Sequence, residues 1–417
     1  MRARYFYGWN VVGATFVMAL LSFGAGFYGL TVWIAALQRL HGWSASTVSA
    51  PVTVYYIAGA LLTAAIGDVY ERIGPRAVVA AGGVALAAGV AGLALVTQPW
   101  QLYPVFLVMS LGWGAMSGAA INIILAPWWQ RRRGLAVSLA FNGATLGGVL
   151  VAPALILLVD AFGLRTAAAS VAALLVVVLG TLAGGVMRRG PEALGLGPDG
   201  DPPRAASRAV GVEPGWRREA LRTWRFWSVS APFALGLAAQ VGVLTHLVGL
   251  VTPMLGVSGA ARAVSTTTAM ALLGRVVTGF VVDRLDRRLV TSVTLIIQIA
   301  GVILLARATS PATLYAGCAL FGLGVGNLTT LPGLILAAEW PRERFSVLVA
   351  LVVGINQFTF AFGPSLVGVL RDWTGAYGSA LVACAALEAL AAVTILCGPS
   401  TARFRRANPR GSTPGAC

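Results

Sequence analysis

Twelve stretches of about twenty mostly apolar residues follow one another along the chain, separated by short polar or Gly- and Pro-containing breaks. A hydrocarbon core about 30 Å thick is crossed by a helix of about 20 apolar residues, and a helix satisfies its own backbone polar groups. The strands of a membrane β-barrel would be about half as long and would alternate in polarity. The chain is therefore predicted to be an all-α membrane protein. Its twelve predicted spans are 9–37, 47–70, 77–97, 101–126, 134–160, 164–187, 226–251, 259–283, 289–308, 311–338, 345–371 and 376–398.

Composition excludes several other classes of protein. Apolar residues make up 58% of the chain and charged residues 11%, against about 25% charged in soluble domains. The net charge of +16 comes from Arg alone, spread in short clusters between apolar runs, so nucleic-acid binding is not predicted. The sequence contains no phosphate-binding loop, metal-ligand cluster or nucleophile motif. It therefore predicts no cofactor, no metal and no enzyme activity.

A segment rich in Pro and Arg divides the spans into two sets of six. The predicted parts are a first bundle over 1–187, a linker over 188–225, a second bundle over 226–398 and a tail over 399–417. A short amphipathic helix is predicted from Trp216 to Arg225.

The termini, the linker and the loops after even-numbered spans hold 24 Arg, whereas the other loops hold five. The positive-inside rule then predicts that both termini are cytoplasmic. We expect a monomer in the inner membrane of a bacterium-like cell.

The two sets of spans repeat each other in sequence. Residues 67–76 read GDVYERIGPR, and residues 279–288, which begin 212 positions later, read GFVVDRLDRR. Pro153 and Pro364, and likewise Trp129 and Trp340, are separated by 211 positions. Parallel six-span repeats with a central linker are typical of two-bundle transporters.

The two loop motifs resemble the signature of the major facilitator superfamily, and the resemblance covers about residues 5–398. Within it, the chain resembles the monocarboxylate-transporter and oxalate–formate-antiporter-like branch. That resemblance implies secondary active transport of a small monocarboxylate, such as lactate or pyruvate, often by symport with a proton. Carriers of this type usually have an Asp where Ala271 stands and a Lys in span one, so their proton relay cannot be transferred to this chain. The residues that carry the branch resemblance are Tyr7, Gly8, Trp9, Trp128, Trp129, Arg132, Arg133, Gly134, His246, Gly274, Arg275, Gly279, Asp283 and Arg284.

Arg275 is the arginine that remains once the loops and termini are counted, and it stands well inside predicted span eight. It precedes Asp283 by eight residues, which places it about 12 Å from the cytoplasmic end of its helix. A guanidinium at this depth costs at least about 2.5 kcal/mol unless it faces a cavity or a partner. Its planar fork matches a carboxylate, so Arg275 is predicted to bind the acid. The alternative is a structural Arg that caps carbonyls or extends towards the membrane surface.

Other polar and aromatic side chains complete the predicted substrate site. His246, on span seven, is predicted to bind substrate and to accept the coupled proton, because its ordinary pKa suits that role; the alternative is helix packing. Amides would line the carboxylate pocket and aromatic rings would contact or gate the cargo, although helix–helix hydrogen bonding and packing are open alternatives. These further candidates are Asn122, Asn142, Asn327, Asn356, Gln357, Tyr28, Tyr55 and Phe358.

The loop motifs are assigned to conformational gating. Their acids can bind Arg or a helix N-terminus of the opposite bundle when the cytoplasmic side is closed. The residues predicted to gate are Glu71, Arg72, Arg76, Asp283 and Arg284.

Besides the carboxylate, the expected partners are protons and membrane lipid. Two other functions stay open: an efflux carrier for apolar drugs or metabolites, and a membrane sensor that does not transport.

Overall fold

The computed structural model describes residues 6–187, 191–201, 216–282 and 284–398. Within these residues nine continuous helical stretches are long and apolar enough to cross a membrane. Three of the stretches each contain two spans, joined at Gly74, Gly163 and Gly256, where the backbone leaves the helical conformation. The predicted all-α fold of twelve spans is thereby confirmed.

The three joining glycines share one geometry. Their φ angles are 79°, 77° and 68°, in a region that residues with a Cβ rarely adopt. A single residue therefore reverses the chain between two spans, and the two spans of each pair were predicted as separate helices on either side of it.

The spans end on two faces of the molecule. We call the side that carries Gly8, Gly185, Trp224 and Leu396 the linker face, and the other side, which carries Gly163 and Gly256, the distal face. In chain order the helical stretches are Gly8–His41, Ala45–Leu93, Pro99–Leu125, Arg133–Gly185, Trp224–Val281, Arg287–Ala306, Pro311–Glu339, Leu348–Thr374 and Gly378–Leu396.

Several spans are interrupted near the middle. Spans one and five each contain a π-helical turn, at Gly24–Tyr28 and Gly147–Val151. Spans four and ten break between Leu102–Ala115 and Gly118–Leu125, and between Pro311–Gly324 and Asn327–Glu339. The breaks of spans four and ten occupy corresponding places in the two bundles.

Glycines allow close helix packing in both bundles. A Cβ on Gly143 of span five would lie 2.0 Å from the Phe16 carbonyl oxygen of span one. In the second bundle, a Cβ on Gly363 of span eleven would lie 2.1 Å from the Ala238 carbonyl oxygen of span seven. Small residues let membrane helices approach closely and gain dispersion contacts.

The described part of the linker docks on the first bundle. The Asp199 carboxylate accepts hydrogen bonds from the backbone N–H groups of Gln130 and Arg131, at 3.1 and 2.7 Å. Partial burial raises the pKa of Asp199, but these backbone donors outweigh it and hold the pKa below its usual value. The Asp199 contacts are therefore present at neutral pH and are lost only as the pH falls through the lowered value.

The helix predicted from Trp216 to Arg225 is shorter in the structure. It spans Trp216–Leu221, and span seven begins at Trp224. The Thr223 side chain accepts a hydrogen bond from the Phe226 backbone N–H and caps the new helix. The prediction merged the two helices because Trp224 and Arg225 continue the amphipathic pattern.

A buried ion pair holds the linker face of the second bundle together. Arg288 donates from Nε and Nη2 to the two carboxylate oxygens of Glu339, at 2.7 and 2.9 Å. The guanidinium also donates to the carbonyl oxygens of Ile395 and Ser228. Spans seven, nine, ten and twelve therefore meet at one charge pair.

Hydrogen bonds join the two bundles in the half of the molecule towards the distal face. Asp372, at the end of span eleven, accepts from the backbone N–H groups of Ala45 and Ser46, which begin span two, at 3.0 and 2.6 Å. Deeper in the interface the bonded pairs are Thr53 with Ser365, Val248 with Thr31, and Ser265 with Val149. Towards the linker face, a Cβ added at Gly67, Gly134, Gly279 or Gly354 would meet no atom within 4 Å.

Candidate functional site

Arg275 lies where the two bundles meet. Its Cα is six residues, about 9 Å, from the linker-face end of span eight at Val281. Helical side chains point towards the N-terminus of their helix, which here is the distal face. Accordingly, Nη1 donates a 3.0 Å hydrogen bond to Oγ1 of Thr145 on span five of the other bundle. Thr145 is about 18 Å from the start of its helix at Arg133. The guanidinium is therefore near the middle of the membrane.

The break in span ten makes room for this guanidinium. Gly326 has a φ of 90°, and a Cβ at this position would come within 2.5 Å of Nη2 of Arg275. Nε of Arg275 is buried and has no hydrogen-bond partner among the described residues. The protein thus binds the guanidinium through Nη1, and Nε remains free to donate a hydrogen bond to another ligand.

The position equivalent to Arg275 in the first bundle carries no charge. Thr63 stands 212 positions before Arg275 in the repeat. Its Oγ1 lies 3.5 Å from the Ser117 hydroxyl, at the corresponding break of span four. The same architectural position is filled by neutral hydroxyl groups in the first bundle. The charge of Arg275 therefore calls for a functional explanation, since its desolvation is costly.

A small cavity lies on the distal side of Arg275, enclosed by both bundles. The space open to the centre of a water molecule is about 10 Å³, room for about one water. Arg275 itself is two helical turns from the cavity residues Thr267 and Thr268 on span eight. The lining residues are Phe27, Tyr28, Thr31, Tyr56, Val241, Leu244, Thr245, Leu247, Val264, Thr267 and Thr268.

Threonines give the cavity an unusual polarity. Thr245, Thr267 and Thr268 each donate their hydroxyl hydrogen to the carbonyl oxygen four residues earlier in their own helix. The Thr245 and Thr267 hydroxyl groups also bond the Tyr56 and Cys318 side chains, so the threonines present mainly their methyl groups to the cavity. The cavity therefore has short apolar walls with a few hydroxyl groups, and the positive charge of Arg275 lies two helical turns away along span eight.

Of the two predicted tyrosines, Tyr28 lines the cavity and Tyr55 does not. Tyr55 is fully buried inside the first bundle, where its hydroxyl donates to the Gly26 carbonyl. The neighbouring Tyr56 lines the cavity instead, and its ring contacts Phe360 of the second bundle at 5.1 Å. Successive helical residues point about 100° apart, and Thr53, three residues before Tyr56, could have indicated the interface side.

His246 lies outside the cavity lining and is buried within the second bundle. Its Nε2 is 3.0 Å from the Pro364 carbonyl oxygen, and its Nδ1 is 3.4 Å from the Tyr377 hydroxyl. A neutral ring with its proton on Nε2 would satisfy both contacts. The geometry favours the packing role of His246, which joins span seven to spans eleven and twelve.

The predicted amides fall into two groups. Asn122 donates to the Gly118 carbonyl of its own helix and is half-buried. Asn327, next to Gly326, donates to the Leu323 carbonyl, and its Oδ1 is buried without a partner. Asn356 is also buried with an unpartnered Oδ1. Asn142 and Gln357 are half-buried. Asn327 and Asn356 therefore have acceptors available near the interface.

Phe358 lies on the outer side of its helix, not in the cavity. It is 57% exposed, and its ring meets that of Phe362 edge to face. The exposed stripe continues through Leu366 and Val369 to Trp373, which is 83% exposed at the distal end of the helix. A stripe that runs the length of a membrane helix faces lipid. The prediction that Phe358 contacts cargo is therefore corrected.

The predicted gating residues lie on the linker face. Glu71, Arg72, Arg76 and Arg284 are exposed there, and Asp283 lies outside the described residues. At the distal face, Asp372 makes a contact of this kind, between an acid and the N-terminus of a helix in the other bundle. The sequence does not indicate this contact, because Asp372 stands beside Arg371 in a polar loop.

Two six-span bundles, broken helices at their interface and a charged site between them define a membrane transporter of the two-bundle class. The family model of the Major Facilitator Superfamily matches residues 14–273 and 254–414. The chain belongs to this superfamily.

Curated relatives include monocarboxylate transporters. Monocarboxylate transporter 11 of Mus musculus is 28% identical over 91% of this chain and 84% of its own length. Monocarboxylate transporter 2 of Meriones unguiculatus is 25% identical over 94% of this chain and 84% of its own length. The chain thus resembles the branch that the sequence motifs indicated.

Solved structures share the fold. The nucleoside transporter NupG superposes with a TM-score of 0.73 at 14% identity, over 93% of this chain and 98% of that one. A bacterial homolog of the human lysosomal transporter Spinster gives a TM-score of 0.65 at 17% identity, over 97% of both chains.

Proposed function

We propose that this protein is a secondary active transporter that moves a small monocarboxylate, of the size of lactate or pyruvate, together with a proton. The observation that carries the proposal is the guanidinium of Arg275, which is placed between the bundles with a buried, unpartnered Nε. Within the described residues no carboxylate lies within ion-pair distance of it. A substrate carboxylate would supply the missing charge and bind the fork at two oxygens. Similarity to monocarboxylate transporters supports the same class of cargo.

Transport is proposed to proceed by alternating access. The bundles are bonded to each other towards the distal face, so the acid would enter the site from the linker face. The Arg-rich linker face is assigned to the cytoplasm by the positive-inside rule, in the inner membrane of a bacterium-like cell. The carrier is proposed to act as a monomer whose bundles rock about the site.

The proton is proposed to travel on His246 or with the acid itself. His246→Asn separates these routes in a proteoliposome assay driven by a pH gradient. Uptake that persists in the variant assigns the proton to the acid, whereas loss of the pH dependence with retained exchange assigns it to His246.

The efflux alternative predicted a large apolar pocket without donors near Arg275. Uptake of labelled acids compared with labelled apolar compounds distinguishes the acid carrier from this alternative, and flux of either kind distinguishes a transporter from a sensor.

Ligand-induced stabilisation tests the proposal on the purified protein. We expect monocarboxylates to raise the unfolding temperature, because a ligand at 100 times its Kd stabilises the native state by about 2.7 kcal/mol. The matching neutral amides and dicarboxylates should give smaller shifts. Arg275→Gln should abolish the shift, while Arg262→Gln, on the exposed end of the same span, should keep it. Equal shifts for lactate and lactamide would contradict the proposal.

A further inference from the structure

Thr145 makes a contact that neither the sequence motifs nor the similarity to known transporters predicts. It is 2% exposed, on span five of the first bundle, and its hydroxyl oxygen accepts the 3.0 Å bond from Arg275 of the second bundle. The bond therefore joins the moving halves of the transporter directly to the group proposed to hold the acid.

This bond is the innermost of three contacts between spans five and eight. From the distal face inwards the contacts are Ser265 Oγ with the Val149 carbonyl at 3.0 Å, the Thr268 side chain beside Gly148, and Arg275 with Thr145. Beyond it, Gly134 and Gly279 have open space at their Cβ positions. The bond thus lies at the end of this series that is nearest the linker face.

We propose that Thr145 is a positioning residue that holds the Arg275 guanidinium while the carrier is empty and yields it to the carboxylate when substrate binds. This inference rests on the proposed function. An empty site must still pass through the closed state with a desolvated cation, which is unfavourable without a partner. The Thr145 hydroxyl provides that partner without a competing negative charge. A bound carboxylate replaces it in the loaded carrier.

Two modes of transport distinguish the empty carrier, in which Thr145 binds Arg275, from the loaded carrier, in which the carboxylate binds it. Exchange of internal for external acid uses the loaded carrier in both directions, whereas net efflux also needs the empty carrier to return. Loss of the Thr145 hydroxyl should therefore slow net efflux and leave exchange nearly unchanged. A merely structural residue would affect both modes alike.

The test compares Thr145→Val, Thr145→Ser and wild type in proteoliposomes with labelled lactate. Thr145→Val keeps the side-chain shape and should slow net efflux about tenfold, the effect of a hydrogen bond to a charged group. Its exchange rate should stay within about twofold, which also shows that it folds. Thr145→Ser should restore net efflux. Thr181→Val is the matched control, because exposed Thr181 donates only to its own helix, and it should leave both modes unchanged.

Each outcome decides the inference. Equal slowing of exchange and net efflux in Thr145→Val, or no change in either, overturns the role of Thr145 while leaving acid transport intact. A wild-type protein that exchanges no acid overturns the proposed function and the role of Thr145 with it.

Discussion

At the scale of single residues, the site depends on one guanidinium and the glycine beneath it. Gly326 is required twice, because its φ of 90° excludes most side chains and its missing Cβ leaves space for Nη2 of Arg275. A change there alters the position of the charge without removing it.

Gly326→Ala should therefore reduce acid transport at least tenfold and destabilise the protein by about 1–3 kcal/mol, from strain at a positive φ. Gly333→Ala, in the regular helix Asn327–Glu339 with open space at its Cβ, is the matched control. It should transport normally. Uptake of labelled acid and thermal unfolding are measured for both variants. Normal uptake by Gly326→Ala would show that the Arg275 guanidinium does not need the space left by the missing Cβ of Gly326.

The sequence could identify Arg275 because a lone charge in an apolar run is visible without a structure. Thr53 could have indicated Tyr56 rather than Tyr55, because Thr53 marks the interface side of span two. The sequence could not identify Thr145, since the rotation of a helix about its axis cannot be read from the sequence where both faces are apolar. Phe358 was misassigned for the same reason. Partners such as Pro364 and Tyr377, which surround His246, come from distant parts of the chain.

At the scale of elements, the distal contact between span two and span eleven closes one side of the transporter. The Asp372 carboxylate accepts from two backbone N–H groups at the start of span two. An anion at a helix N-terminus is stabilised by the unpaired donors and the helix dipole.

Asp372→Asn should increase the fraction of molecules that are open at the distal face. The substitution should weaken the contact with the start of span two by about 1 kcal/mol, and labelling of Thr53→Cys by a membrane-impermeant maleimide should therefore be about fivefold faster. Asp160→Asn is the control, because Asp160 pairs with Arg39 on the same face but within the first bundle. An unchanged labelling rate in Asp372→Asn would mean that the carboxylate does not hold the distal face closed.

The second bundle carries its own stabilising element in the Arg288–Glu339 pair. Both side chains are almost fully buried, at 3% and 2% exposure. Glu339→Gln leaves a buried charge uncompensated and should cost about 3–5 kcal/mol of unfolding free energy.

Asp201→Asn provides the comparison for this pair. Asp201 contacts Arg131 in an exposed ion pair, and its loss should cost under about 1 kcal/mol. Denaturation in detergent measures both variants. A similar small loss for Glu339→Gln would show that water reaches the Arg288 guanidinium.

At the scale of the whole molecule, twelve spans and their repeat could be predicted because membrane thickness fixes span length and the loop motifs recur. The reversal glycines, the breaks of spans four and ten and the distal bonding of the bundles could not be predicted, since they depend on how the helices pack. The asymmetry between Thr63 and Arg275 at equivalent positions is what turns a symmetric scaffold into a charged site.

Uptake of labelled lactate by proteoliposomes, with wild type and Arg275→Gln compared at equal reconstitution, tests the central claim most directly. We expect wild-type protein to accumulate lactate but not lactamide, and Arg275→Gln to take up neither. Undiminished lactate uptake by Arg275→Gln would contradict the assignment of the guanidinium as the acid-binding group.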